Sequence, residues 1–373
     1  MDQLGRGGAE RALVVLLPEL QKLGIRCEVA AASPPYDLAP DLEARGIPVH
    51  RWDISFKHVF RGTRLLLRTV RERRVDIIHT HSIYPAFYSG LSAPFARAPR
   101  RIMSFHNLGY SSYPADTAKR KLLKAATRFT MQHGIDIFIA PSQAVADHYQ
   151  QQLGITGIQV IPHLLDPELL ALQPVDRSAT LTRLGVDPGA FTIAMVGRFV
   201  HEKGHRLLLE SLDLLRRHGL NPNVLMVGDG PLYREVQERV VAMEMQAQVK
   251  LFPAMEHRQA MEIIQASDLV VIPSTHEGFS LVAVEAILLG RPVVASSAGG
   301  LAEVVRDGIS GVSVAPGDPK ALAAAIAGVI NDYPRAQQLA TNARPFILDL
   351  CSTESVMARW RNILSLPDRT GGD

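Results

Sequence analysis

Cysteine is scarce in this chain of 373 residues, and the two that occur, Cys27 and Cys351, are far apart in apolar surroundings. This excludes a disulfide framework, and no metal-ligand spacing is present, so the sequence indicates a reducing compartment. No apolar run approaches the length that spans a bilayer, and no signal peptide is visible. We therefore expect a cytoplasmic globular protein, and the length favours two domains.

Acidic residues are few in one part of the chain. The formal net charge is +3, but residues 55–128 contain 15 Lys and Arg against three Asp and Glu. A solvated, positively charged helix surface would account for this excess. Attraction to an anionic membrane surface or to a phosphate-bearing acceptor would account for it as well. Nucleic acid is not expected as a partner because no nucleic-acid-binding module accompanies the charge.

Short apolar runs alternate with helical patterns along the chain. Strands are predicted at 26–32, 47–52, 75–80, 101–105, 136–140, 158–162, 191–196, 223–227, 249–252, 269–272 and 292–296. Because helices separate these nearly continuous apolar strands, they predict an α/β protein with parallel sheets. Prolines between 164 and 187 mark a boundary. We expect an N-terminal domain at 1–170, a second domain at 171–350, and a C-terminal helix with a tail at 351–373.

The start of the chain departs from this alternation. A loop containing Gly7 and Gly8 opens a helix predicted at 9–23. Such a loop suits an anion at the helix N-terminus, although a tight connection would use the same glycines. In a Rossmann-like domain the loop follows the central strand, whereas here it follows MDQL. The N-terminal domain is therefore expected to lack its first strand, or the start to be set downstream of that strand.

Residues 268–296 combine two of the predicted strands with a helix. A polar loop with Glu277 follows the first of these strands, at the edge where open α/β sheets bind ligands. The helix is predicted at 279–289, with Ser280 as its N-cap and Gly290 just past its end. The segment therefore predicts a βαβ unit with an acid at its ligand-binding edge.

The predicted helix is apolar almost all round except for Glu285. Such helices are normally buried, and a buried carboxylate is costly unless something hydrogen-bonds it. A core arginine in a structural ion pair would satisfy Glu285. The hydroxyls of a ligand, such as a ribose diol, would also satisfy it. In that second interpretation Glu285 and Glu277 face one crevice.

The segment EGFSLVAVE, with Glu277 and Glu285 eight positions apart, resembles the E-x7-E signature of retaining GT-B glycosyltransferases, family 4 in particular. The resemblance implies two Rossmann-like domains facing a central cleft. It implies that Glu285 holds the ribose of a nucleotide sugar and Glu277 the hydroxyls of the sugar. The other donor-binding residues that it implies are Gly278, Phe279, Ser280, Leu281 and Gly228, with Gly7 and Gly8 near the phosphate or the acceptor.

Arg198 and Lys203 lie in the loop that follows the strand at 191–196. Arginine and lysine side chains are usually exposed to solvent without a specific role. This loop, however, is expected to open on the same crevice as Glu277. Two cations there can bind a diphosphate, and they match the family's diphosphate-binding pair. No two aspartates are two positions apart, so the metal-holding D-x-D device of the other major glycosyltransferase fold is absent. We therefore expect no metal and no cofactor. The negative charge of the departing diphosphate would be neutralised by the two cations and by N–H groups at a helix N-terminus.

Three histidines lie at strand ends: His79, His81 and His106. A structural role is expected for His79, and a position on the acceptor side for His81. His106 matches the family's strand-end histidine beside the reacting sugar and is the candidate for catalysis. Their spacing gives no ordered ligand set with carboxylates, so a metal is not expected. The family's Asn-Gly after the proline at 162 is replaced here by His163 and Leu164.

The resemblance implies transfer of a hexose from a nucleotide diphosphate sugar to a hydroxyl acceptor with retention at the anomeric carbon. UDP is the commoner base in the family, and GDP is the alternative. The basic N-terminal half favours a lipid-linked or cell-envelope acceptor at the inner face of the cytoplasmic membrane. A GT-B epimerase or phosphorylase stays open, as does a catalytically silent GT-B subunit of a membrane-associated assembly.

Overall fold

The computed structural model describes residues 1–54, 58–95, 100–109 and 118–364, without the side chains of residues 118–120 and 123. It divides into two compact units. The first contains residues 1–164 together with the C-terminal helix from Thr353, and the second contains Leu165–Ser352. The basic amphipathic pattern at 56–73 predicts a helix, whose first two residues lie outside the described residues, as does the tail of the predicted 351–373 segment from residue 365 onward.

Helices and strands alternate throughout the first unit, and all of its strand pairs are parallel. Its elements are α1 (Gly8–Lys22), β1 (Val29–Ala31), α2 (Ala39–Ala44), β2 (Val49–Arg51), α3 (Val59–Arg73), β3 (Ile77–His81), α4 (Ile83–Ser92), a 3-10 turn (Ala93–Phe95), β4 (Arg100–Ser104), α5 (Ala118–Gly134), β5 (Ile137–Ala140), α6 (Gln143–Leu153) and β6 (Gln159–Val160).

The second unit repeats the alternation with six parallel strands. Its elements are α7 (Pro167–Leu170), α8 (Arg177–Arg183), β7 (Thr192–Val196), a 3-10 turn (His201–Lys203), α9 (His205–Arg217), β8 (Asn223–Val227), α10 (Tyr233–Ala242), β9 (Val249–Phe252), α11 (His257–Ala266), β10 (Leu269–Ile272), α12 (Leu281–Leu288), β11 (Val293–Ser296), α13 (Leu301–Val304), β12 (Val312–Val314), α14 (Pro319–Asn331) and α15 (Tyr333–Cys351). The final helix, α16 (Thr353–Leu364), belongs to the first unit. The predicted α/β class with parallel sheets is confirmed.

The strands of the first unit form two separate sheets among the described residues: β1 with β2, and β3, β4, β5, β6 in that order. Met1 and Asp2 run beside the end of β1, where the Met1 ammonium donates to the carbonyl of Ala30 at 2.7 Å and the amide of Ala32 donates to that of Met1 at 3.0 Å. The Asp2 carboxylate accepts from Ser82 Oγ, just past β3, at 2.6 Å. Met1 and Asp2 thus lie alongside β1 and contact the residue after β3, without forming a named strand among the described residues.

Helices cover both faces of the four-stranded sheet. Successive residues of a strand point to opposite faces, so the sheet contributes side chains to two separate hydrophobic cores. Ile102 and Ile139 join the core formed with α1, α2 and α16, to which Trp360 contributes. Met103 and Phe138 join the core formed with α4, α5 and α6. The C-terminal helix therefore completes one hydrophobic face of the first unit.

The segment predicted as a domain boundary, 164–187, contains two short helices that were not predicted. Asp166 and Asp176 cap them by accepting from the amides of Glu168 and Ala179, each at 3.0 Å. Leu181 of α8 is fully buried in the core of the second unit. Each helix begins after an aspartate that caps it, and its apolar side packs in the core of the second unit.

The sheet of the second unit has the strand order β12-β11-β10-β7-β8-β9. The chain moves outward in one direction from β7 and, after crossing back, outward in the other direction from β10. The order therefore reverses between β7 and β10, and the loops after these two strands open beside each other. Ligands of open α/β sheets bind at such switch points, and the loops here carry Arg198 and Glu277.

Candidate active site

An ion pair joins the two loops at the switch point of the second unit. Lys203 Nζ lies 2.5 Å from Glu277 Oε2, and Ser274 Oγ donates to the same oxygen at 3.2 Å. The amide of Thr275 donates to the carbonyl of Glu202 at 2.8 Å, which ties the loops together a second time. Both charged side chains are mostly buried, so the contact is sheltered from solvent.

Two glycines allow these loops to approach so closely. Gly204 has φ +75°, and a Cβ there would collide with the carbonyl of Pro273. Gly228 has φ +148°, and a Cβ there would collide with the carbonyl of Gly197. The sequence suggested close approach of Gly228 to a nucleotide. In the structure Gly228 packs against the loop that carries Arg198, and its approach to a nucleotide stays a prediction.

Arg198 is exposed directly after β7, while the next residue is fixed. The amide of Phe199 donates to the carbonyl of Asp229 at 2.8 Å, and the Phe199 ring is fully buried. The main chain of the loop is thus held while the guanidinium projects into solvent. An arginine presented this way can bind two oxygens of a phosphate.

Helix α12 begins two residues later than predicted, at Leu281, and Ser280 caps it as predicted. Ser280 Oγ accepts from the amide of Ala283 at 3.3 Å, and Phe279 is buried beneath the turn. The carbonyl of Glu277 accepts from the amide of Gly300 at 2.9 Å, so the turn after β11 braces the loop.

Glu285 is bound by a residue that sequence reasoning missed. His257 Nε2 lies 2.8 Å from Glu285 Oε1, and both side chains are mostly buried. Of the two alternatives for Glu285, the core arginine is not found among the described residues, where the partner is a histidine at the first position of α11. Glu256 and Gln259 form a capping box around that helix start. The E-x-x-Q spacing could have located the helix but not its contact with α12.

The first unit holds a cluster of four histidines at the carboxyl ends of its strands. His79 lies 2.8 Å from Ser104 Oγ, and His81 Nδ1 lies 2.8 Å from His106 Nε2. The rings of His106 and His163 stack with centroids 5.5 Å apart. His163, which stands at the departure from the family's Asn-Gly, was not predicted to join this group. The histidines line a cavity of about 30 Å³.

Burial keeps the cluster neutral. It lowers the pKa of His79 to about 3 and that of His163 to about 4. Burial, with the neighbouring histidines, also lowers the pKa values of His81 and His106 well below the ordinary value. A neutral imidazole has one donor and one acceptor nitrogen, so the contact with His81 uses one nitrogen of His106. No described residue hydrogen-bonds the other, Nδ1.

Gly7 and Gly8 form the start of α1, as predicted for a loop that opens a helix. Gly7 is the N-cap, and its carbonyl accepts from the amide of Arg11 at 2.9 Å. The Glu10 carboxylate folds back so closely that it would collide with a Cβ on Gly7. An acid therefore lies at the helix end where the sequence suggested an anion.

Two family profiles match successive parts of the chain: Glycosyltransferase Family 4 over residues 6–169 and Glycosyl transferases group 1 over residues 176–346. D-inositol 3-phosphate glycosyltransferase 1 of Catenulispora acidiphila is 30% identical and covers 72% of this chain and 67% of its own length. Alpha-D-kanosaminyltransferase of Streptomyces kanamyceticus is 26% identical, and the match covers 92% of this chain and 91% of the relative's length. The chain belongs to the group 1 glycosyltransferases of family 4.

The fold of this glycosyltransferase is GT-B, as the resemblance implied. The Anabaena protein Alr3699/HepE in complex with UDP-glucose has a TM-score of 0.85 at 23% identity, with 98% of each chain covered. Sucrose-phosphate synthase of Thermosynechococcus elongatus has a TM-score of 0.80 at 20% identity, covering 98% of this chain and 96% of its own. At these identities the likeness shows the shared fold alone.

Neither a metal centre nor a spanning helix is found in the described part of this glycosyltransferase. Over residues 1–54, 58–95, 100–109 and 118–364, no group of three His, Cys, Asp or Glu is placed to hold a metal ion. Within the same residues no helix is long and apolar enough to cross a bilayer. Metal independence stays a prediction for this glycosyltransferase.

Proposed function

We propose that this glycosyltransferase moves a hexose from a nucleotide diphosphate sugar to a hydroxyl acceptor with retention at the anomeric carbon. The observation that carries the proposal is the Lys203–Glu277 ion pair at the switch point, with the Arg198 guanidinium exposed in the same loop. A site that binds a sugar diphosphate needs cations for the diphosphate and an acceptor for the sugar hydroxyls, and this pair supplies both.

The reaction proposed needs no protein nucleophile. The bond from the anomeric carbon to the diphosphate oxygen breaks while the acceptor oxygen attacks the same face, and the acceptor proton passes to the departing phosphate oxygen. Arg198 and Lys203 stabilise the negative charge on the diphosphate, as do the N–H groups at the start of α12. Lys203 has three ammonium donors, so it can contact Glu277 and a phosphate together.

The donor proposed is a UDP sugar in preference to a GDP sugar, with Glu285 holding the ribose. The complex of Alr3699/HepE with UDP-glucose, a protein of the same fold, supports a UDP donor. His106 is proposed to act on the donor sugar, and Gly7 and Gly8 to contact the phosphate or the acceptor. The acceptor proposed is a lipid-linked or cell-envelope glycan, reached at the inner face of the cytoplasmic membrane.

Calorimetry in EDTA tests the donor site directly. We expect UDP and its sugars to bind without metal more tightly than the GDP and ADP compounds, and binding to be lost in Glu285→Ala. Glu238→Ala, which removes an exposed carboxylate on α10, is the matched control and should leave binding unchanged. Failure of every nucleotide to bind would overturn the proposal in favour of a catalytically silent subunit.

The fate of the sugar tests the reaction. With an acceptor present, NMR of the product should show the anomeric configuration of the donor. Consumption of the donor with release of free or epimerised sugar, at the same rate with and without acceptor, would indicate an epimerase and contradict transfer.

A further inference from the structure

Large apolar side chains are exposed on one part of the first unit. Phe60 is 90% exposed, Leu122 73%, Phe95 66% and Phe129 63%. Single exposed apolar residues are ordinary on protein surfaces and need no explanation. These four come from α3, the 3-10 turn after α4, and α5, all within residues 59–134 of the first unit.

Those elements form one helical layer, with α4 between α3 and α5. A Cβ on Gly62 of α3 would lie 3.3 Å from the ring of Tyr88 in α4. A Cβ on Gly90 of α4 would lie within 3.2 Å of Thr130 in α5. Two glycines thus bring the three helices close together. Helix α4, which is mostly buried although its Tyr84 is 42% exposed, therefore lies between α3 and α5.

Helical spacing places arginines beside the exposed ring of α3. Phe60 is followed by Arg64, Arg68 and Arg71 at four, eight and eleven positions, which is one face of a helix. All three arginines are exposed, and Glu72 pairs with Arg68 at 2.7 Å. Exposure to solvent alone would explain the arginines on this face, but it would not explain the exposed phenylalanine among them.

Helix α5 repeats the pattern. Leu122 and Phe129 are two turns apart and so lie on one face, where the Phe129 and His133 rings approach to 4.3 Å. Lys121 and Arg128 are exposed beside them. No acidic residue occurs in α5, and α3 contains Glu72 alone. Both helices therefore combine positive charge with exposed apolar side chains.

We propose that this surface docks on a membrane that contains anionic lipid. The basic aromatic face is defined as Phe60, Arg64, Arg68, Phe95, Leu122, Arg128 and Phe129. Its charges are complementary to anionic headgroups, while its rings and Leu122 reach the boundary between headgroups and acyl chains. A soluble polyanion would use the arginines but leave the four apolar side chains in water. The inference concerns a partner and does not rest on the proposed reaction.

Vesicle flotation with the full chain tests the inference. We expect binding to vesicles of phosphatidylcholine with phosphatidylglycerol, little binding to phosphatidylcholine alone, and weakening by salt. The double variant Phe60→Ser, Phe129→Ser should bind at least about tenfold more weakly. Val241→Ser, Ile309→Ser removes two exposed apolar side chains from the second unit and should bind as the unmodified protein does.

A second pair of measurements separates lipid insertion from charge attraction. Arg64→Gln, Arg68→Gln should lose the preference for anionic vesicles, whereas the serine variant of the basic aromatic face should still bind heparin in solution. Thermal melting checks that each variant folds, which is expected because every replaced side chain is exposed. Binding of the serine variant to vesicles as tight as that of the control variant would overturn the proposal. Binding to heparin with none to anionic vesicles would overturn it too.

Discussion

The Glu285 carboxylate is held from one side. His257 contacts Oε1, and no hydrogen bond to Oε2 is found in the described part of the chain. A buried carboxylate with one oxygen engaged is oriented, and the second oxygen can still accept from a ligand. His257 is therefore expected to position Glu285 without contacting the ribose itself.

Replacing His257 should weaken nucleotide binding through Glu285. In His257→Ala we expect the Kd for UDP to rise at least about tenfold, since a hydrogen bond to a charged group contributes about 1.5–3 kcal/mol. His257→Gln, which keeps an N–H donor, should recover part of the loss. Calorimetry with UDP and its 2′- and 3′-deoxy analogues measures both effects.

A comparison of UDP with its deoxy analogues shows whether His257→Ala loses affinity because the contact between Glu285 and the ribose is weakened. The alanine variant should discriminate less between UDP and the analogue that lacks the contacted hydroxyl. His218→Ala, at an exposed histidine of the same unit, is the control. An equal loss of affinity for UDP and both analogues would contradict a positioning role.

At the scale of elements, the 3-10 turn at His201–Lys203 depends on the close approach of Gly204 to the loop after β10. Gly219 has the same backbone conformation, with φ +76° against +75°, but open space around it. The two positions therefore separate the effect of backbone conformation from that of contact with a neighbouring loop.

Alanine at these two glycines should destabilise to different extents. Gly219→Ala is expected to cost about 1 kcal/mol, the strain of a left-handed residue with a side chain. Gly204→Ala should cost about 2–3 kcal/mol more, because the Pro273 carbonyl must move and the Lys203–Glu277 contact moves with it. Urea unfolding measures both free energies. Equal losses would show that the loop approach adds nothing to stability.

Element positions were largely predictable, and contacts between elements were not. The strands at 223–227, 249–252 and 269–272 were predicted with their exact bounds. A short apolar run bounded by turn residues is visible in the local sequence and indicates a buried strand. The predicted cap Ser280 is confirmed for the same reason, since a cap contacts an amide three residues away. Helix α2 was missed, because six residues carry too short a pattern to predict.

For the whole molecule, the buried histidines couple stability to pH. The pKa of His79 is about 3 and that of His163 about 4, both below the ordinary 6.5. The unfolded chain therefore binds these protons more readily than the folded chain does. Their contribution is fully present above pH 6.5 and is lost as the pH falls toward the folded values.

Acidification from pH 7 to pH 5 should lower the free energy of unfolding by about 1–2 kcal/mol for each such histidine. Over this interval the free energy of unfolding of His79→Gln should fall by less than that of the unmodified protein. For His218→Gln, at an exposed position, it should fall by the same amount as in the unmodified protein. Urea unfolding at the two pH values measures the difference. Identical losses in all three proteins would show that the cluster does not set the acid sensitivity.

The sequence by itself determined the α/β class, the division of elements, the cap at Ser280 and the spacing of Glu277 from Glu285. These follow from local periodicity, which acts within a few residues. The tertiary structure decided that Lys203 meets Glu277 across 74 positions, that His257 meets Glu285 across 28, and that His163 joins the strand-end histidines. Such contacts depend on which strands lie side by side, and that order is set by packing of the whole sheet rather than by any one segment.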